Sequence, residues 1–402
     1  MTLLHLLAFA SLFLALVCAV ATATPWQQDR MIITCWLSPP NTDQALAAIK
    51  SEHYNLVWAK ADELDVVARH GLRAMLQDPL LAPASLDDPG RNTQLDALVA
   101  RVKDHPALDA YYLTDEPSAK DFPALGRLVA YLRERDPAHF AYINLFPTYA
   151  TNEQLGVTGD TATAYREHLR QFMEIVEPGL ISYDHYHFFK HHDTDQYFFN
   201  LGLIRETALR AGVPFMNIIQ ACTIIPDWRL PNAAELRWLV YTTLAYGGRG
   251  ISYFLYWGPA AYGGLYQDGK RMPLALDAAR LNAEIEALSR ALMALHSLGV
   301  YHTAPLPTGA EAVPADASVG VVSAGEFVLG LFGEGSEATA LMVVNRDYRR
   351  AATARLRLPR GARVQEFDRA RREWRGYATP GDGATIAVSL EAGDGRLFRL
   401  AR

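Results

Sequence analysis

Tyr112-Leu113-Thr114-Asp115-Glu116-Pro117 closes an apolar run that begins at Leu108. Pro117 biases the residue before it away from helix and turns the chain out of the strand. Two acids at the end of a short apolar strand are what a parallel strand delivers to a site at its C-terminal end. The same unit recurs along the chain. Short apolar or aromatic runs at 31–36, 55–59, 72–76, 108–114, 139–145, 180–184, 214–220 and 250–257 alternate with amphipathic stretches, as strands covered on both faces by helices should. The helical stretches have matching boundaries. One over 43–52 follows Asn41-Thr42, one over 62–70 stops at Gly71, one over 121–135 stops at Asp136-Pro137, and one over 193–211 stops at Gly212.

Eight such pairs between Met31 and about His302 suit a (β/α)8 TIM barrel, which takes ~250 residues. The predicted fold class is α/β, with this barrel over 31–302. An open doubly wound sheet is the alternative, but no Gly-x-Gly-x-x-Gly follows the first strand. From 303 to 318 the composition turns to Ala, Pro, Gly and Thr, a linker signature. Beyond it, short strands at 327–331, 340–344, 354–358, 385–388 and 396–400 predict a small C-terminal all-β sandwich over 319–402. Trp374 and Tyr377 are its few exposed-looking aromatics, so it is expected to pack on the barrel rather than bind sugar independently.

The chain has 402 residues, 50% hydrophobic and 20% charged, with net charge −6. It lacks the basic surface that a phosphate backbone requires, which argues against nucleic acid as a partner. Residues 1–23 carry no Lys, Arg, Asp or Glu, run apolar from Leu3 to Val20 and finish in small residues. They read as a signal peptide cleaved near Ala23, which implies a secreted or periplasmic protein with no membrane contact after cleavage. A retained N-terminal anchor is the competing reading. A lipoprotein signal at Cys18 is disfavoured by bulky Val17 before it. Cys35 and Cys222 then remain, too few for a disulfide scaffold, and are expected to be buried free thiols.

Asp115 and Glu116 are the expected catalytic residues, since a carboxyl at a barrel mouth with a raised pKa can donate a proton. The structural alternative is that they cap the following helix or bind an Arg. The sixth strand ends Ser182-Tyr183-Asp184-His185-Tyr186-His187-Phe188. Asp184 is the expected second carboxylate. His185 and His187, two apart in a strand, share one face and are expected to bind sugar hydroxyls. Zinc ligation by these histidines is the reading weighed against it, and the expectation is no metal and no cofactor. Trp36, Trp58, Tyr149, Tyr256, Trp257 and Tyr262 fall at or just beyond strand ends. Aromatic faces there can stack on the C–H faces of sugar rings. Trp36, Trp58, Asn144, His185, His187, Gln220, Tyr256 and Trp257 form the expected substrate-binding set, for an oligo- or polysaccharide.

Asn217-Ile218-Ile219-Gln220, Asp227-Trp228, Leu236-Arg237-Trp238 and Ala245-Tyr246-Gly247-Gly248-Arg249-Gly250-Ile251-Ser252-Tyr253-Phe254 resemble strands seven and eight of the family 42 β-galactosidases and related retaining barrels of glycoside hydrolase clan A. Thr114-Asp115-Glu116-Pro117 resembles their strand-four Asn-Glu motif. The resemblance implies a secreted glycosidase with Glu116 as general acid/base. It also implies a nucleophilic Glu at the end of strand seven, where this chain has Ile219 or Gln220, and an Asn where it has Asp115. A neutral amide cannot form a glycosyl-enzyme intermediate. Three readings follow. The first is an inverting or displaced-nucleophile glycosidase using Glu116 with Asp184 or Asp227. In the second, Asp115-Glu116 is similar to the pair of substrate-assisted hexosaminidases, where the Asp orients a 2-acetamido group. The third is a barrel that binds carbohydrate without cleaving it.

Overall fold

The computed structural model describes residues 25–315, 317, 319–335, 337–359, 361–377 and 385–401. The expected signal segment, 1–23, lies outside the described residues.

Eight strands appear where the alternation of apolar runs placed them: β1 (Ile32–Cys35), β2 (Leu56–Ala59), β3 (Arg73–Leu76), β4 (Leu108–Asp115), β5 (Phe140–Leu145), β6 (Ile181–Asp184), β7 (Phe215–Gln220) and β8 (Gly250–Phe254). All neighbouring pairs are parallel, and β1 lies beside β8. The remaining seam, between β1 and β2, is closed by the Asn55 side chain in place of a full ladder. Its Oδ1 accepts from the Ile33 N–H at 3.0 Å and its Nδ2 donates to the Met31 carbonyl at 2.8 Å. Period-two alternation sorts the side chains. Ile32, Leu56, Met75, Ala110, Phe140, Tyr142, Met216 and Ile218 form one buried cluster, while Ile33, Val57, Ala74, Tyr111, Ile143 and Ile251 belong to the larger core shared with the helices.

The helices start where the sequence offers a side-chain acceptor. Thr42 Oγ1 accepts from the Ala45 N–H at the head of Asp43–Ser51, and Asn232 forms a reciprocal cap with Glu235 at the head of Ala233–Ala245. The helix expected over 193–211 begins later, at Tyr197. Residues before it are engaged elsewhere: Asp193 bridges to Phe188 and binds the Arg229 guanidinium at 2.9 Å.

The C-terminal region is a two-sheet β domain. A six-stranded sheet orders His296–His302, Phe327–Glu334, Glu337–Asn345, Gly395–Ala401, Arg363–Asp368 and Glu373–Gly376, and a three-stranded sheet orders Gly320–Val321, Ala352–Arg357 and Thr385–Leu390. One boundary needs correction. His296–His302, assigned by sequence to the end of the barrel, pairs antiparallel with Phe327–Glu334 and so belongs to the β domain. The last barrel helix, Pro273–Met293, ends three residues earlier. The segment after 302 is not a loose linker, because Arg346 donates to the carbonyls of Thr303 and Pro305 at 3.3 and 2.5 Å.

The two faces of the six-stranded sheet have different partners. Phe327, Leu329, Leu341, Val343 and Phe398 pack with the smaller sheet, whereas Val328, Phe332, Ala340, Met342, Val344 and Leu397 join the barrel's core. This is the docking on the barrel that the sparse aromatics suggested. The approach is close enough to specify a glycine. A Cβ on Gly330 would lie 2.3 Å from the Ala245 carbonyl oxygen, a backbone atom that cannot swing aside. Gly330→Ala should therefore lower stability by ~1–3 kcal/mol, the usual range for overpacking. Chemical denaturation of the full chain checks this, and an unchanged midpoint would contradict so close a fit.

Candidate active site

The acids are brought together by three adjacent strands. A register shift between Tyr112 and Thr114 puts a bulge in β4 just before its end, so that Asp115 pairs across to Asn144 of β5. Glu116 follows in the left-handed region, at φ 47°, with its N–H donating to the Asn144 carbonyl at 2.8 Å. A regular strand would send consecutive side chains to opposite faces. The left-handed residue breaks that alternation, and both carboxyls face one cavity. Asp184 arrives from the end of β6 and is 2% exposed.

The cavity has a volume of about 370 Å³. Asp115, Glu116, Asn144, Gln154 and Asp184 supply polar groups, and Trp36, Phe146, Tyr149, Tyr186, Trp228 and Phe254 its aromatic walls. None of its lining residues is Lys, Arg or His. The walls pack on one another: the Tyr186 ring lies 4.3 Å from Trp228 and 5.2 Å from Phe254, centroid to centroid. Beneath them Trp58 packs edge-on to Trp36 at 4.8 Å and tilted against Tyr112 at 5.0 Å.

Asn144 is the polar hub. Its Nδ2 donates to Asp115 Oδ1 and to Asp184 Oδ1, both at 3.0 Å. Its Oδ1 accepts from the Ser182 hydroxyl at 3.1 Å, and Ser182 in turn lies 2.8 Å from the Tyr142 hydroxyl. The carboxyls of Glu116 and Asp184 line the same cavity. Desolvation is the main influence on both and raises both pKa values, that of Glu116 to about 7. The negative charge of Asp115 pushes Glu116 further in the same direction, and the charges of Glu116 and Asp115 do the same to Asp184. Asp115 opens into the cavity. Its pKa is also raised by desolvation, against the downward pull of the Asn144 amide, and as the most exposed acid it ionises first.

Of the expected substrate-binding set, the structure brings Trp36 and Asn144 to the cavity wall and places the others elsewhere. Trp58 lies in the floor behind Trp36. His185 is fully buried, with its ring nitrogens 3.0 Å from Asn200 Oδ1 and 2.9 Å from Thr194 Oγ1. His187 binds the same Thr194 hydroxyl at 3.0 Å and stacks on Trp238. Burial depresses both imidazoles, to about 4 and about 3. Both are bonded within the loop after β6, and neither lines the cavity of the acids. Gln220 is completely buried: its Oε1 accepts from the Phe188 N–H at 2.8 Å, and its Nε2 donates to the carbonyls of Phe188 and Arg229 at 2.9 and 3.0 Å. Tyr256 donates to buried Glu52 at 2.9 Å, and Trp257 stacks on Tyr266 in a small sheet away from the acids. Asp227 is exposed and does not line the cavity.

Sequence reasoning did not single out Phe146, Tyr186, Trp228 or Phe254. All four lie within quoted or neighbouring stretches, but the folding of the loops after β5, β6 and β7 decides which rings face inward. Cys35 and Cys222 are buried free thiols, as expected. Among the described residues no group of three or more His, Cys, Asp or Glu is arranged to hold a metal ion, and no helix is long and apolar enough to cross a membrane.

No protein-family model matches the chain, and no curated protein matches it. Solved structures do. A family 39 glycoside hydrolase from the gut symbiont Bacteroides cellulosilyticus WH2 is 9% identical, with a TM-score of 0.51 over 92% of this chain and 81% of that one. A GH42 β-galactosidase from G. stearothermophilus is 13% identical, with a TM-score of 0.47 over 65% of this chain and 57% of that one. An intracellular xylanase from Thermoanaerobacterium saccharolyticum is 13% identical, with a TM-score of 0.44 over 62% and 96%. At these identities the likeness is one of fold, a TIM barrel followed by a β domain, shared with glycoside hydrolases.

Two expectations follow from the site. Gln220→Ala would leave buried backbone groups of Phe188 and Arg229 unsatisfied, which costs ~1–3 kcal/mol per group. Hydrogen exchange should then accelerate at the Phe188 amide, and unchanged protection would refute the clamp. The second concerns pH. The acids hold protons more tightly folded than unfolded, so their contribution to stability is present at low pH. It is lost as pH rises from about 4, the unfolded value, to about 7 for Glu116. Glu116→Gln should flatten the fall in melting temperature across that window, and an identical slope would remove Glu116 from the linkage.

Proposed function

We propose that this protein is a glycoside hydrolase that cleaves O-glycosidic bonds in an oligo- or polysaccharide, with Glu116 as general acid. One observation carries the reading: Asp115, Glu116 and buried Asp184 converge in an aromatic-lined cavity at a barrel mouth, where burial raises the pKa of Glu116. Glycosidic oxygen is a poor leaving group until protonated, and a carboxylic acid still protonated near neutral pH can supply that proton. Ionised Asp115 offers negative charge to the oxocarbenium-like transition state, whose positive charge develops at C1. The rings of Trp36, Tyr149, Tyr186 and Trp228 provide faces for the C–H surfaces of the sugar. The fold supports this, since solved structures that share it are named as glycoside hydrolases. The apolar N-terminal segment supports a secreted or periplasmic protein.

A second reading within the same class is a hexosaminidase-like reaction in which the substrate's own 2-acetamido oxygen attacks C1 and Asp115 orients the group. The observation that favours it is Gln220 at the end of β7, a buried amide bound to the Phe188 N–H and to the carbonyls of Phe188 and Arg229, which cannot act as a nucleophile. The attacking atom then comes from the sugar.

Activity on a panel of aryl glycosides, with and without 2-acetamido groups, tests the proposal. Glu116→Gln should lower turnover by roughly 10²–10⁴, the range of general acid catalysis, and near-normal turnover would remove Glu116 from the mechanism. Because the acid must be protonated, turnover should fall as pH rises through about 7. Asp115→Asn separates the two schemes. Vigorous hydrolysis of a 2-hydroxy glycoside by that variant would eliminate substrate assistance. Retained oligosaccharide affinity with no product from the native protein would instead establish a non-catalytic binding barrel.

A further inference from the structure

Asn144 touches every member of the acid cluster. Its side-chain amide reaches Asp115 and Asp184 at 3.0 Å each, and its backbone carbonyl accepts from the Glu116 N–H at 2.8 Å. The side chain is 2% exposed, and both its N–H groups are occupied. It therefore has no donor left for a sugar, which argues against the substrate-binding role expected from its place at the end of β5.

The direction of the amide is set by its surroundings. If the Tyr142 hydroxyl donates to Ser182, Ser182 must donate onward, and the oxygen of Asn144 is its acceptor. The reversed amide would turn its oxygen toward two carboxyl groups. With the nitrogen facing the acids, each N–H stabilises an ionised oxygen on one of them.

We propose that Asn144 is the positioning residue of the cluster: its amide fixes the Asp115 and Asp184 carboxyls together and favours the ionised form of the one open to the cavity, Asp115. This rests on the reading of the cavity as an acid-catalytic site, and it deepens that reading by saying what holds an anion beside the acid. A glycosidase needs both forms at once.

The titratable groups around the cluster are phenols and one imidazole: Tyr112 of β4, Tyr142 of β5, Tyr149 beyond it, Tyr165 of helix Thr161–Gln171, Tyr183 and Tyr186 at the end of β6, and His185, which packs on Tyr149 and whose pKa burial lowers to about 4. β1, β7 and β8 present Trp36, Ile218 and Phe254, which do not titrate. No neighbouring cation competes with the amide for the role.

Carbon-13 NMR titration of side-chain carboxyls in the full chain tests this without any substrate, with resonances assigned through Asp115→Asn, Glu116→Gln and Asp184→Asn. In the native protein Asp115 should have the lowest midpoint of the three. In Asn144→Ala it should rise by about one to two pH units, the worth of a hydrogen bond to a charged group. Ser182→Ala, which frees the amide to turn, should move it the same way by less, and it decides the matter should Asn144→Ala fail to fold. A purely structural asparagine would lower stability in these variants and leave the Asp115 midpoint in place, and that result would overturn the proposal. Native protein inert on every glycoside but showing the expected titration would sink the hydrolase reading and leave the positioning role of Asn144 intact.

Discussion

Three carboxyls share an aromatic cavity whose lining carries no cation, and the surrounding architecture serves to make that arrangement tolerable. Burying an unpaired charge costs several kcal/mol even after relaxation, more than a marginally stable fold can concede at several positions. The protein meets the cost by raising the pKa values of the acids and with hydrogen bonds to neutral donors. Desolvation favours the neutral forms of Glu116 and Asp184. An amide serves Asp115, and the strained residue Glu116 is tied by its backbone to β5. Under the proposed reading the same arrangement also serves the chemistry, because a neutral acid beside an anion is what proton donation to a glycosidic oxygen requires.

The β domain reaches this site through a chain of ionic and hydrogen-bonded contacts. Trp228, a cavity wall, precedes Arg229, whose guanidinium binds Asp193 at 2.9 Å and Glu235 at 2.7 Å and lies 4.5 Å from the centre of the Phe188 ring. Asp193 is bonded in turn by the Tyr348 hydroxyl and Arg349 of the β domain. The loops after β6 and β7 are thus held between the barrel and the second domain. This gives the β domain a structural part in shaping the cavity, consistent with the face of its larger sheet being part of the barrel core.

Sequence alone located the eight barrel strands because each is a short apolar run bounded by helix caps and turn residues, signals that act within a few positions. It also located Asp115, Glu116 and Asp184, since strand ends in a barrel converge at one mouth whatever the loops do. The aromatic lining was harder to read. Tyr256 and Trp257 stand as close to a strand end as Phe254 does, yet Tyr256 is drawn off by Glu52 and Trp257 by Tyr266, partners 204 residues away in one case and in a separate small sheet in the other. The histidines misled for a similar reason. Period two correctly put His185 and His187 on one side of the chain, but that side faces Thr194 of their own returning loop. His296–His302 was given to the barrel because its partner strand lies beyond the Pro- and Gly-rich stretch, and pairing across such a stretch leaves no local trace.

Gln220 shows how a departure from a family pattern can have a cause within the fold. Its amide receives one N–H and donates to two carbonyls, joining the loop after β6 to the loop after β7. A glutamate at 220 could accept from Phe188 but has no N–H for either carbonyl, and its charge would be fully buried beside their partial negative charges. The loops that Gln220 joins are those that carry Tyr186 and Trp228 to the cavity wall. A carboxylate at the end of β7 and this aromatic wall therefore make opposing demands on one position. The chain has met the demand of the wall, which leaves the carboxyls to β4 and β6, the arrangement that the proposed substrate-assisted reading calls for.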